Sequence, residues 1–234
     1  GVPNAALFEV GPQYAGTEPE DQTLVAAGLR QGETPRHWAE KARKVDAFDA
    51  KADALAALEA AGGPVGSVQT VAEAPPWYHP GRAGSFKIGN VALAHFGEVH
   101  PRVLKALDVD GPCVAFEVFL DRLPPAKAKA GKARALLKPS QFQPVERDFA
   151  FVVDAAVPAE KVQRTAQNVD RALITGVSIF DAYAGPGIPE GKKSVAIAVT
   201  IQPTEKTLTD AEIEAIGAKI VAAVQKQTGG TLRS

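Results

Sequence analysis

From Ser194 to Ile201 the chain reads SVAIAVTI, in which Val195, Ile197, Val199 and Ile201 alternate strictly with the smaller Ser194, Ala196, Ala198 and Thr200. A period of two sends successive side chains to opposite faces of a sheet. The large set needs a cover and the small set does not. This stretch therefore predicts a sheet with one face packed under helices and the other left as a flat shelf. RDFAFVVD (147–154) follows the same rule, with Phe149, Phe151 and Val153 set against Asp148, Ala150 and Val152, so that Ala150 lies on the shelf.

The surrounding elements complete a recognisable order. PAEKVQRTAQNV (158–169) is a helix opened by Pro158, and GVSIFDAYA (176–184) is a strand. TDAEIEAIGAKIVAAVQKQTG (209–229) is the strongest helix: Thr209 and Glu212 form a capping box, Ile213, Ile216, Ile220 and Val224 form the buried stripe, and Gly229 ends it. With TLRS as an edge strand the order is βαββαβ, a ferredoxin-like arrangement with two helices on one face.

Upstream, the composition shifts once. PPAKAKAGKARALLKP (124–139) carries Lys127, Lys129, Lys132, Arg134 and Lys138 with no acid. Its small side chains offer little apolar area to bury, so it reads as a linker or surface arm, either simply solvated or in contact with phosphate. The expected organisation is a unit over 1–126, a basic linker over 127–139 and a ferredoxin-like domain over 140–234. In the first unit ALFEVGPQY and TLVAAGLRQG read as consecutive antiparallel strands. VDAFDAKADALAALEAAGG is a helix striped by Phe48, Leu55 and Leu58 and stopped by Gly62, and NVALAHFGEV is a strand. HPRVLKALDVDG is a short helix with Pro101 at its first position. CVAFEVFLDRL closes the unit, with Val114, Phe116, Val118 and Leu120 on one face and Ala115, Glu117, Phe119 and Asp121 on the other. The fold class is α+β with a largely antiparallel sheet.

Composition excludes several functions. A net charge of −1 gives no bulk field toward nucleic acid or membrane, so any RNA contact must be local. No apolar run approaches the roughly 18 residues of a membrane span, and the start lacks a charged region followed by an apolar one; no membrane partner is expected. The single cysteine, Cys113, rules out an intramolecular disulfide or a multi-cysteine zinc site and fits a reducing cytoplasm. His79, His95 and His100 have neither H-E-x-x-H spacing nor cysteine partners, so no metal site is expected. GPGIPEG (185–191) lacks the Walker register and reads as a hairpin connection. The absence of methionine and the strand-like opening suggest a piece of a longer polypeptide, although removal of an initiator methionine before Gly1 would give the same start.

The chemistry concentrates in IFDAYAGPGIPEGKKS. Asp181 and Tyr183 share a parity and project together, beside Lys192, Lys193 and Ser194. On the shelf they suit single-stranded RNA: a base stacks on Tyr183, Asp181 accepts from a guanine edge, Ser194 meets base or ribose, and the lysines meet phosphate. Val177 and Ile179 share the same parity, however, which leaves the facing of Asp181 and Tyr183 open; a bulge near the strand end would reconcile the two, but the letters show none. The competing reading is structural, with Tyr183 as packing, Asp181 as turn chemistry and the lysines solvated.

FQPVERDFAFVVD, IFDAYAGPGIPEGKKSVAIAVTIQPTEKTLTDAEI and the GGTLR terminus resemble the C-terminal anticodon-binding domain of the bacterial phenylalanyl-tRNA synthetase beta subunit. LFEVG, VDAFDAKADALAALEA, YHPGRAG and FGEVHPRVLKALD resemble the module preceding it, so the likeness spans nearly the whole chain. It implies a cytoplasmic ligase of two alpha and two beta subunits that uses ATP and Mg2+ to attach phenylalanine to tRNA-Phe. The alpha subunit would hold the active site. This chain would supply an inactive class II synthetase-like module that contacts alpha, and an anticodon reader built on Asp181, Tyr183 and Ser194. It implies no cofactor in this chain and no catalysis by the chain alone. Within AFEVFLDRL, Ala115, Glu117 and Phe119 stand where an active class II strand has glycines, with Arg122 retained; Glu117 would repel phosphate and Phe119 would fill its place, though a plain core strand reads as well. The alternative function is a ferredoxin-like module for small-molecule sensing or protein docking without RNA.

Overall fold

The computed structural model describes residues 4–125, 136 and 139–233. Lys127, Lys129, Lys132, Arg134 and Lys138, expected to meet a tRNA backbone, lie outside the described residues. The chain divides into two compact units, Gly1–Lys132 and Ala133–Ser234. Among the described residues no helix is long and apolar enough to cross a membrane.

The first unit is a six-stranded sheet ordered β1-β2-β6-β5-β4-β3, built from β1 (Ala5–Tyr14), β2 (Gln22–Gln31), β3 (Gln69–Val71), β4 (Tyr78–Ile88), β5 (Val91–Val99) and β6 (Cys113–Phe119). Every pairing is antiparallel. Helix α1 (Ala47–Ala60) covers one face, where Val114, Phe116 and Val118 are buried with Phe86 and Phe96. The expected stripe of α1 needs correction. Ala50, Ala54 and Leu58 are the buried residues, whereas Phe48 is 75% exposed. Two alanines at a spacing of four let the helix axis approach the sheet, and Phe48 falls on the opposite side of the helix. Asp46 caps α1 by accepting from the N–H groups of Phe48 and Asp49, and the Asp49 carboxylate accepts in return from the Asp46 N–H. At the other end Gly62 takes φ +79°, and the Gly63 N–H donates to the Leu58 carbonyl at 2.8 Å, closing the last turn as the sequence predicts.

Strand β4 has no counterpart among the sequence-predicted elements. Its YHPGRAGSFKI stretch carries Pro and Gly and slips register between Tyr78 and Ala83, so it lacks the alternation that marks a strand. The short helix α2 (Pro101–Ala106) has Pro101 first, as expected.

The second unit contains β7 (Val145–Asp154), α3 (Ala159–Gln167), β8 (Ile174–Tyr183), β9 (Lys192–Ile201), α4 (Asp210–Thr228) and β10 (Thr231–Leu232), with sheet order β10-β7-β9-β8. This is the ferredoxin-like topology, with its four strands in spatial order 4-1-3-2. Phe151, Val153, Val195, Ile197, Val199 and Ile201 are buried against Val162 and Ala166 of α3 and Ile213, Ile216, Ile220 and Val224 of α4. Each large aliphatic side chain so buried contributes about 1.5–3 kcal/mol. The capping box of Thr209 and Glu212 forms, and Gly229 ends α4 at φ +69°.

Candidate nucleic-acid interface

The face of the second sheet away from α3 and α4 is assembled row by row from the strand register. Ala150, Ala196 and Asp181 form one cross-strand row, and Val152, Ser194 and Tyr183 the next. Asp148, Ala198 and Ser178 follow, then Glu146, Thr200 and Gly176. Small side chains run down the central strand, so the face is the shelf that the alternation of SVAIAVTI demands.

What turns Asp181 and Tyr183 onto this shelf is a bulge. Ile179 pairs with Ile197 but Asp181 pairs with Ala196, leaving Phe180 without a partner. Before it, Val177 and Ile179 register with the core residues Val199 and Ile197. After it, Asp181 and Tyr183 register with Ala196 and Ser194. One inserted residue reverses the facing of everything beyond it. The parity conflict in the sequence is the trace of this bulge, and Phe180, 58% exposed, is the inserted residue.

Tyr183 is fixed in place. Its hydroxyl donates to the Pro186 carbonyl at 3.2 Å, and its ring lies so close over Gly185 that a Cβ there would stand 2.5 Å from Oη and 2.7 Å from Cζ. About a third of the residue remains accessible. Asp181 is exposed. The structure thus brings together the ring, the carboxylate and the Ala150–Ala196 floor.

Three of the expected contacts are placed differently. Ser194 lies on the correct face but is only 2% exposed, between Val152 and Tyr183, so it underlies the ring and presents no hydroxyl to a ligand. Lys193 has the parity of Val195 and therefore sits on the helix side, where its ammonium donates to the Ala155 carbonyl at 2.9 Å. Lys192 has the shelf parity but pairs with Asp154 at 3.1 Å. This ion pair is largely exposed and holds the lysine by about 1 kcal/mol at most. The two lysines part because neighbours on a strand face oppositely.

Two features were not anticipated from sequence. Glu146, Asp148 and Asp154 stand on the shelf with Asp181 and are exposed, so much of its rim repels phosphate. The Arg233 N–H donates to the Ala150 carbonyl at 2.8 Å, which extends the β10 register and puts Arg233, also exposed, on the row of Ala150, Ala196 and Asp181. The alternation of β7 already carried the first signal in its Asp148 parity. Arg233 could be placed only once the partner of the terminal strand was known.

On the first sheet, Ala115, Glu117 and Phe119 face away from α1, as their alternation predicts. Glu117 Oε2 accepts from Trp77 Nε1 and from the Tyr78 hydroxyl, each at 3.1 Å, and Oε1 accepts from Gln13 Nε2 at 3.4 Å. Burial, reinforced by the Glu117 charge and hydrogen bond, pushes the Tyr78 phenol far above its ordinary value, so it stays a donor. Arg122 stacks 3.9 Å from the centre of the Phe119 ring and donates to the Ala92 carbonyl. In the same cross-strand row as Glu117, His95 Nδ1 lies 2.7 Å from Ser85 Oγ. The Ser85 hydroxyl donates to the Glu73 carbonyl, so His95 Nδ1 must carry a proton and donate to Oγ. The pair is therefore not a nucleophile and its base. Burial, with Arg122 and Lys87 adding to it, holds the His95 imidazole down at about 4. Among the described residues no three His, Cys, Asp or Glu side chains are grouped to hold a metal ion.

A ferredoxin-type sheet with a bare, small-residue face and an aromatic ring and acid at its rim defines a class, and the comparison agrees: residues 140–233 match the ferredoxin-fold anticodon binding domain. Residues 1–120 match the phenylalanyl tRNA synthetase beta chain CLM domain. The chain belongs to the phenylalanyl-tRNA synthetase beta chain family. It is similar over its full length to the phenylalanine–tRNA ligase beta subunits of Paramagnetospirillum magneticum (58% identical, 29% of that protein covered), Rhodospirillum rubrum (55%, 29%) and Bradyrhizobium diazoefficiens (56%, 30%). The chain thus spans under a third of the length of these relatives.

Proposed function

We propose that this chain is the tRNA-reading and scaffolding portion of a phenylalanine–tRNA ligase. Residues 140–234 bind the anticodon of tRNA-Phe, residues 1–126 pack on the catalytic alpha subunit in a cytoplasmic assembly of two alpha and two beta chains, and the basic segment 127–139 lies along the tRNA backbone. One observation carries the anticodon reading: the bulge at Phe180 that delivers both Asp181 and Tyr183 to the uncovered face. An unstacked base lies on Tyr183 while Asp181, an acceptor-only group, takes N–H donors from its edge. Ala150 and Ala196 form the floor, and Lys192, once released from Asp154, meets phosphate.

The ligase needs ATP and Mg2+, and the described residues of the first sheet do not fit the nucleotide. On the face that Ala115, Glu117 and Phe119 share, the Glu117 carboxylate repels phosphate, Phe119 occupies space, and Arg122 is engaged with Phe119 and a backbone carbonyl. Adenylate chemistry is left to the alpha subunit. The chain by itself should show no ATP–pyrophosphate exchange, and clear exchange would refute this assignment. The direct test is binding of an anticodon stem–loop carrying GAA against one with another first base. Preference for GAA that Tyr183→Ala abolishes supports the reading; equal binding of both loops overturns it.

A further inference from the structure

Glu117 is an anion without a cation. Its three donors, the Trp77 indole, the Tyr78 hydroxyl and the Gln13 amide, are all neutral, and none of the ion pairs among the described residues includes it. Three neutral donors fix the position of the carboxylate but bring no cation to it. Such a group in a partly desolvated setting attracts a positive ligand more strongly than it would in water.

The surroundings define what that ligand is. A cavity of about 540 Å³ opens over Glu117 and is walled mainly by Leu7, Ala27, Leu29, Trp77, Val99 and Ala115. Its floor is two adjacent cross-strand rows on the face away from α1, Leu7–Leu29–Ala115 and Glu9–Ala27–Glu117. The volume lies within the about 300–1,000 Å³ that small molecules occupy, and apolar walls with one fixed polar group are the usual composition of such sites. The half-exposed Trp77 ring adds an electron-rich surface that favours a cation. Glu117 Oε1 receives only the long Gln13 contact, so it has a lone pair open to an N–H donor. Glu9, in the same row, adds a second negative charge at the rim. A guest bearing its own carboxylate or phosphate is repelled there.

We propose that this cavity binds a primary ammonium carried on an apolar body and lacking an acidic group, with the ammonium on Glu117 Oε1 and the body against Leu29, Ala115 and Trp77. The site is separate from the RNA-reading face, and its occupancy is independent of the anticodon proposal.

The test is titration of phenethylamine into the 234-residue chain at neutral pH, followed by the indole N–H resonances in nitrogen–proton spectra. Trp38, 94% exposed, is the internal control. The expected result is a saturable shift of the Trp77 resonance alone, with a dissociation constant at or below about 1 mM. 3-Phenylpropionate, which replaces the amine with an acid, should produce no saturable shift. Glu117→Gln should weaken binding at least about tenfold, the size expected when a charge-assisted hydrogen bond becomes a neutral one. Should loss of the carboxylate unfold the Trp77 and Tyr78 donors, Ala27→Leu is the second variant: it fills the cavity from the face away from the α1 core and should also abolish the shift. The proposal is overturned by the absence of a Trp77 shift with the parent chain, by an equal response to 3-phenylpropionate, or by parent-like affinity in the Ala27→Leu chain.

Discussion

Gly185→Ala isolates the preorganisation of Tyr183 from its presence. A Cβ at 185 would sit 2.5 Å from Oη, 2.7 Å from Cζ and 3.1 Å from Cε2. Ordinary carbon contacts lie at about 3.5–4.0 Å, so the ring must retreat by roughly 1 Å and its hydrogen bond to the Pro186 carbonyl is lost. That bond is solvent-exposed and contributes about 0.5–1.5 kcal/mol, so unfolding stability should fall by no more than about 1.5 kcal/mol. Anticodon binding should suffer more. Stacking of one base is worth about 1–3 kcal/mol, or roughly 5- to 150-fold in affinity, and a displaced ring forfeits much of it. The assay is fluorescence polarisation of a labelled GAA stem–loop with parent, Gly185→Ala, Tyr183→Ala and Gly217→Ala chains. Gly217, in α4 on the covered side of the sheet, faces Phe149 at ordinary contact distances and serves as the control. Gly185→Ala should fall between parent and Tyr183→Ala, with Gly217→Ala at parent level. Parent-like binding by Gly185→Ala alongside a loss in Tyr183→Ala would refute the claim that the loop positions the ring. Parent-like binding by both would refute stacking itself.

Asp181→Asn should narrow the difference between the GAA loop and one with another first base while lowering overall affinity less, because an amide replaces one acceptor oxygen with a donor; competition polarisation with the two loops measures it. The depressed His95 value, about 4 against about 6.5 unfolded, gives the first unit stability that is complete above pH 6.5 and lost as pH falls toward 4. Solvent screening of this partly exposed ring reduces the loss, which should be on the order of 1 kcal/mol by pH 5, read as a larger drop in urea midpoint for the parent than for His95→Asn. Gly28→Ala would place a Cβ 2.6 Å from Phe116 Cε1 and 3.1 Å from the Leu7 carbonyl, and should destabilise the first unit by about 1–3 kcal/mol in the same assay.

The value of the exposed acids on the shelf is also physical. Glu146, Asp148 and Asp154 leave few places where a phosphate can settle, so a backbone crossing this face must pass near Lys192 or Arg233. Salt dependence of stem–loop binding should therefore be modest, with a slope set by those two cations.

The alternation of β9 was enough to read a one-sided sheet, because side-chain facing in a strand is a local, two-residue property. The capping box at Thr209 and Glu212 and the glycine stops at Gly62 and Gly229 were legible for the same reason: each is closed by groups within a few residues. The α1 stripe was misread through Phe48 because size alone does not say which face of an alanine-rich helix meets the sheet. Strand β4 was missed because its register slip erases alternation.

The family likeness, the order of elements in the second unit and the small-residue floor of the shelf follow from the letters alone. Whether Asp181 and Tyr183 reach the shelf did not, since strand sequence gives facing only up to an inserted residue, and the insertion at Phe180 exists only in the pairing with β9. The same holds for Ser194 buried beside the ring, Lys193 turned to the helix side, Arg233 aligned with Ala150, and Trp77 and Gln13 converging on Glu117 from segments 40 and 104 residues away. Local chemistry sets which way each residue can point; only closure of the sheets between distant strands decides what it points at.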